Sequence, residues 1–419
     1  MDSFKGVKIC FLADKHDLYD DRIYWKMAVP MKRAGAEVHC YIIGPEDDTG
    51  TTPEGISYRV WRLKTYSKNP FANFAIKHVN PWNNYKKMFD ACSELKADIY
   101  HFHDLWLNRL APRLKDLPHH PAVFYDAREP HAEDYRSLYD SEGFSKWIVD
   151  AFAFWVDRWE KKRALNYDRV IANEPKVRNA FAKVIGEDRA VVLYNYLDLN
   201  LFVADLQEVR SRADSDKIAG DTQTCDPSKI YDLLYCGLLT EKRGAWKILE
   251  TVRILKPSFP QLKVLLLGRM DPPGLRGEME AFIQKHNLQD TIEMKAQVPY
   301  EQVGKFYRAS KVGLLLWQPF SSLQIKMPIK LLEYMAFGLP VIGSNFGHIS
   351  ELIKKESCGV VVDPENPEEI AEAISSVLNQ AKVFNALRNN GIEAARREYN
   401  WQKEQDRLFD YYKKALDER

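Results

Sequence analysis

Little in this chain is arranged in pairs or long runs. Its six cysteines, Cys10, Cys40, Cys92, Cys225, Cys236 and Cys358, share no paired spacing, which argues against a zinc site or a disulfide framework and fits a reducing compartment. Neither sign of charge is in excess. Sixty basic against 59 acidic residues leave a net charge of +1, so the balance does not call for nucleic acid. No apolar run approaches the roughly 20 residues of a membrane span. The opening Met1-Asp2-Ser3-Phe4-Lys5-Gly6 carries acid and does not read as a signal peptide. The turn after the first apolar run lacks G-x-G-x-x-G, which disfavours a dinucleotide there, and no D-x-D metal motif is well placed. The expectation is a cytoplasmic chain with no resident metal or cofactor.

What the chain does have is alternation. Val7 to Ala13 reads as a buried strand, Asp21 to Ala34 as an amphipathic helix and Val38 to Gly44 as the next strand. That is a parallel strand–helix–strand unit with right-handed crossover. Further strands are expected at Ala97 to Asp104, Ala122 to Asp126, Asp168 to Ala172 and Ala190 to Asn195. Ligands of open parallel sheets bind beyond the carboxyl ends of strands, which singles out His101, His103, Asp104, Asp126, Arg128 and Glu129. Asp205 to Lys229 is polar without apolar periodicity, as in a linker or surface insertion. Strands then resume at Ile230 to Gly237, Leu262 to Leu267, Thr291 to Lys295 and Val312 to Trp317, with helices between, including one over Tyr300 to Ala309. The expected organisation is an N-terminal Rossmann-like domain over 1–200, a linker over 201–229, a C-terminal Rossmann-like domain over 230–400, and a segment 401–419 whose helix is placed to pack back on the first domain.

The most informative stretch runs from Pro328 to Ser344. Leu331, Leu332, Met335 and Ala336 recur at three- and four-residue steps, predicting a helix opened by Pro328 and ended by Gly338, then a strand over Leu339 to Ile342. Lys330 and Glu333 would lie in its first turn and a half, where free N–H groups and the helix dipole favour an anion such as a diphosphate. Glu333 would be in reach of a polyol such as ribose. An amphipathic helix with two solvated charges is the plain alternative.

Taken in order and spacing, these motifs resemble those of a GT-B glycosyltransferase of the large retaining family four, over nearly the whole chain. Pro328 to Ile342 resembles that family's P-x-K-L-x-E-Y-M-A-x-G-x-P-V-I pattern, and Tyr235 to Gly244 its G-R-L-x-x-E-K-G phosphate loop. Leu265 to Gly268, Asn345 to Glu351 and Asp98 to Asp104 add to the match, and His16 to Ala34 is similar to an acceptor-side opening with a D-x-R-I core at Asp21-Arg22-Ile23.

The resemblance implies an α/β fold of two Rossmann-like parallel-sheet domains facing each other across a cleft. It implies transfer of a hexose-type sugar from a nucleoside-diphosphate sugar to a glycan or lipid-linked acceptor in surface polysaccharide biosynthesis. Gly237, Arg243, Gly244, Lys330, Glu333 and Glu351 would hold the donor. Arg243 and Lys330 would meet the leaving diphosphate's charge, with His103 beside sugar and phosphate. Asp21, Arg22, His101, Asp126, Arg128 and Glu129 would form the acceptor side. Departures from the pattern are Leu238 where Arg is frequent, Arg243 where Lys is commoner, and Ile325 where an acid is expected, with Gln324 or Lys326 as substitutes. They leave open a catalytically silent nucleotide-sugar binder or assembly subunit. A base at Glu129 or Asp126 leaves open an inverting transferase.

Two aromatic stretches with basic residues, Tyr66 to Met88 and Phe144 to Trp159, predict peripheral contact with an anionic membrane. For the second, an ordinary interdomain helix buried on one face is the alternative.

Overall fold

The computed structural model describes residues 3–62, 81–128, 130–139, 146–202, 206, 230–320, 323 and 327–419. Glu129, Gln324, Ile325, Lys326, Phe144, nearly all of the expected linker and the first aromatic stretch up to Asn80 lie outside the described residues. The chain divides into two compact units, Met1–Asn195 with Trp401–Arg419, and Tyr196–Asn400.

The first unit carries an eight-stranded sheet of β1 (Lys8–Asp14), β2 (Glu37–Gly44), β3 (Asp48–Thr51), β4 (Ser57–Arg62), β5 (Ile99–His103), β6 (Ala122–Ala127), β7 (Arg169–Ala172) and β8 (Ala190–Val192). Its order is β3-β4-β2-β1-β5-β6-β7-β8, parallel except where β3 meets β4. Successive side chains on a strand face opposite sides. In β1, Ile9, Phe11 and Ala13 accordingly enter one core while Cys10 and Leu12 enter the other. The core of Ile9 and Phe11 also takes Trp401, Leu408, Tyr412 and Ala415 from the helix Trp401–Asp417.

Two local expectations change. Asp21–Ala28 is a π-helix, capped by Asp20 accepting from the Arg22 and Ile23 amides, and only Val29–Arg33 is α-helical. The wider turn keeps both Arg22 and Lys26 on the buried side, where each finds a partner. β3 and β4 were not anticipated; in β3, Asp48-Thr49-Gly50-Thr51 is exposed throughout and offers no apolar alternation.

The second unit carries β9 (Tyr231–Cys236), β10 (Val264–Leu267), β11 (Ile292–Lys295), β12 (Ser310–Leu315), β13 (Val341–Ser344) and β14 (Gly359–Val362), all parallel, in the order β11-β10-β9-β12-β13-β14. β14 was not expected from the sequence. The helix over the informative stretch is Ile329–Ala336, with Pro328 extended just outside it, and the strand begins at Val341 rather than Leu339. Tyr300–Gln302 is a 3₁₀ turn, followed by a short helix Gly304–Arg308.

Candidate functional site

In the second unit the candidate residues gather at the carboxyl end of β9. The strand closes on Gly237, at φ 137°. A Cβ on Gly268, at the end of β10, would fall 1.9 Å from the Gly237 carbonyl oxygen, so the two strand ends approach as only glycine permits. The loop then makes a 3₁₀ turn, Glu241–Arg243, capped by the Thr240 hydroxyl accepting from the Arg243 amide at 3.1 Å. Gly244 starts the next helix in the left-handed region, where a Cβ would lie 2.1 Å from the Leu316 oxygen.

Lys330 is the second residue of Ile329–Ala336, and a Cβ on Gly237 would lie 3.8 Å from its Cε. Its ammonium pairs with Glu333 at 2.8 Å and stands 5.5 Å over the Tyr300 ring. Arg243 lies over the Trp317 ring at 5.4 Å. Burial pushes the Tyr235 phenol up, and the charges of Arg243 and Lys330 both oppose it. Glu333 is fully buried; Tyr300 donates to one of its oxygens at 2.8 Å and Tyr307 to the other. The plain alternative of two solvated charges therefore fails for Glu333. Glu351 sits on the helix Gly347–Glu356, exposed and paired with His348 at 3.2 Å.

In the first unit, Arg22, Asp126 and Arg128, expected on the acceptor side, join His16, Asp20 and Asp104 in a largely buried ionic network. Arg22 grips Asp126 through two nitrogens, at 2.7 and 3.1 Å, and donates to the Leu193 carbonyl at 3.1 Å. Arg128 approaches Asp126 at 3.8 Å and Asp20 at 3.2 Å. His16 bridges Asp20 and Asp104, at 3.1 and 3.0 Å. Burial alone would lower His16, but hydrogen bonds to Asp104 and Asp20 outweigh it and lift its pKa to about 10. Burial would likewise raise Asp126, yet Arg22 and His103 hold its carboxyl well below the usual range. Asp21 pairs with Lys26 at 2.9 Å.

The expectation that His101 and His103 face an open cleft is corrected. Both rings are fully buried and stack on each other at 4.7 Å. His101 is hydrogen-bonded to the Tyr412 hydroxyl of the closing helix. His103 faces Asp126 through Nδ1 at 3.1 Å, while its Nε2 makes no hydrogen bond. Burial depresses His103 to about 4, so it is neutral near pH 7. His101, His103 and Asp126 bring three potential ligand atoms within 4.8 Å of one another. Arg22 already takes both Asp126 oxygens, however, and two guanidinium groups beside the carboxylate oppose a bound cation.

Tyr300 and Tyr307 escaped the sequence reading as partners of Glu333. A tyrosine in an apolar-periodic segment reads as core, and only the fold brings residues 26 and 33 positions away onto the carboxylate.

Comparison with known proteins follows the same division. A family model described as Glycosyl transferases group 1 matches residues 223–397, and one described as Glycosyltransferase Family 4 matches residues 25–201. An uncharacterized glycosyltransferase of Methanocaldococcus jannaschii is 23% identical over 424 residues, 95% of this chain and 97% of its own. The GDP-mannose:cellobiosyl-diphosphopolyprenol alpha-mannosyltransferase of Xanthomonas campestris is 22% identical over 262 residues, 62% of each chain. Among solved structures, sucrose-phosphate synthase from Thermosynechococcus elongatus matches at a TM-score of 0.69 and 19% identity, over 99% of this chain and 100% of its own. Anabaena HepE in complex with UDP-glucose matches at 0.64 and 15%, over 97% and 99%. These likenesses establish the GT-B fold. With one glycosyltransferase family model matching in each half, the chain is similar to glycosyltransferases over most of its length.

Proposed function

We propose that this protein moves a hexose-type sugar, with retention of configuration, from a nucleoside-diphosphate sugar to a glycan or lipid-linked acceptor in surface polysaccharide biosynthesis. The observation that carries the reading is that Gly237 and the turn carrying Arg243 follow β9, with Lys330 beside Gly237 and paired to Glu333. A departing diphosphate develops negative charge, and fixed cations aimed at it lower the barrier, by roughly 3–4 kcal/mol for a single well-placed donor. Arg243 and Lys330 supply that charge in the proposal, with no metal required. Glu333 would accept the ribose hydroxyls. Support for the donor class comes from HepE, solved with UDP-glucose, and from the Xanthomonas relative, named for GDP-mannose. Amylovoran and colanic acid glycosyltransferases among the relatives support the polysaccharide setting.

Retention is favoured over an inverting route through Asp126, because a carboxylate clamped by Arg22 and held far below neutrality is a weak base. His103 is kept as the group next to the leaving phosphate; its Nε2 has no partner, and a ligand oxygen would reach it only where the buried ring is uncovered. His101 is not, since Tyr412 occupies it.

The test is calorimetric titration with UDP-, GDP- and ADP-sugars, followed by product analysis by NMR. One donor should bind, Arg243→Ala should weaken it at least about tenfold, and turnover should survive EDTA with the anomeric configuration kept. Equal affinity of wild type and Arg243→Ala for every donor would sink the reading.

A further inference from the structure

We propose that the helix Lys146–Ala164 lies in the plane of an anionic membrane surface and docks the first unit there. Its inner side is fixed by Val149, Ala153, Val156, Glu160 and Ala164, which are buried at helical spacing, and by Glu160 accepting the Tyr125 hydroxyl from β6. That pinning turns the opposite side outward. Trp147, Ile148, Phe154 and Trp155 are 72, 48, 62 and 48% exposed, and Leu165 just beyond the helix is 52% exposed. Large aromatic side chains are seldom left in water in such a group.

The row at three- and four-residue steps reads Trp147, Ala151, Phe154, Arg158, Lys162, Leu165, with Ile148 and Trp155 alongside, and every one of these is exposed. The row has an apolar N-terminal half, a basic C-terminal half and no acid. The acids of the helix lie off it: Asp157 is tied to Lys161 at 2.7 Å, Asp150 to Arg136 at 3.5 Å, and Glu160 is buried.

Charge decides between a lipid surface and a second copy of the chain. Antiparallel self-packing would set Trp147 and Phe154 against Arg158 and Lys162, and parallel packing would set the bases on each other. Either way cations are covered without an acidic partner. Anionic headgroups satisfy the bases while the indoles and Phe154 enter the headgroup boundary, as in interfacial helices. No helix among the described residues is long and apolar enough to cross a membrane, so the contact is peripheral.

The proposal does not depend on the sugar-transfer reading, and its test uses the full chain. Wild type, Trp147→Ala/Phe154→Ala and Arg158→Glu/Lys162→Glu are floated with vesicles of phosphatidylcholine alone or with added phosphatidylglycerol, at two salt concentrations. All the changed residues are exposed, and unchanged melting curves would verify folding. Wild type should float only with anionic vesicles, less so at high salt, and each double variant should lose about tenfold or more of the bound fraction. No flotation of wild type, or equal flotation of all three proteins, overturns the proposal. So does a wild-type dimer in sedimentation that the aromatic variant abolishes without any vesicle binding.

Discussion

Lys330 and Glu333 face each other one turn apart on the same helix, nitrogen to oxygen 2.8 Å, with the carboxylate fully buried. That buried carboxylate has a tyrosine hydroxyl on each oxygen, so a ligand diol reaches it only by displacing something. Tyr307 is completely buried and also reaches the Cys236 sulfur at 3.4 Å. Tyr300 sits half-buried on a 3₁₀ turn. Tyr300 is the partner that gives way. Tyr300→Phe removes the competing hydroxyl while keeping the ring beneath Lys330 and against Phe202. Affinity for the nucleoside diphosphate should rise by about 1 kcal/mol, roughly fivefold, in a calorimetric titration. An unchanged or weaker affinity would show that the hydroxyl does not compete.

The same arrangement predicts a cost for Glu333→Ala. The change leaves two tyrosine hydroxyls and the Lys330 ammonium without their shared acceptor, which should destabilise the protein by about 1–3 kcal/mol. Glu333→Gln preserves an acceptor and should lose less. Urea unfolding of the pair measures this; equal stability of both variants and wild type would mean the cluster holds nothing together. Any drop in donor affinity in Glu333→Ala has to be read beside that stability.

Arg22 and Asp126 predict a second stability effect, in the first unit. Both side chains are essentially inaccessible, and removing either strands a buried charge. Arg22→Met and Asp126→Asn should each cost about 3–5 kcal/mol, and the double variant clearly less than their sum. A double-mutant cycle in urea checks it. Additive losses would mean the two do not act as a pair.

The alternation of strands and helices was legible because parallel strands buried on both faces are short continuous apolar runs, as in β1 and β9. Asp48–Thr51 carries no such run and was missed. Lys330 and Glu333 could be picked out because local rules connect helix starts to anions, whereas Arg243 and Gly237 entered only through the family resemblance. What those rules could not supply is the third dimension. His101 and His103 sit on the same side of β5, as their spacing requires, but His101 lies under a helix some 300 residues later and both rings are buried. Arg22, Asp126 and Leu193 are likewise joined only by the stacking of the sheet.

Two histidines should shape the pH dependence of stability in opposite directions. His16, lifted from its ordinary 6.5 to about 10, keeps its proton in the folded chain after the unfolded chain has lost it. Its contribution is therefore full below pH 6.5 and is lost as pH rises towards 10. His103, depressed from 6.5 to about 4, refuses a proton that the unfolded chain accepts. Stability should thus fall as pH drops from 6.5 towards 4, and His101, held down by burial, adds to that limb. Urea midpoints across pH 4 to 10 separate the two: His16→Gln should flatten the alkaline limb and leave the acid limb in place, while His103→Gln should do the reverse. If His16→Gln leaves the alkaline limb intact, the imidazole between Asp20 and Asp104 is not the charged bridge the geometry indicates.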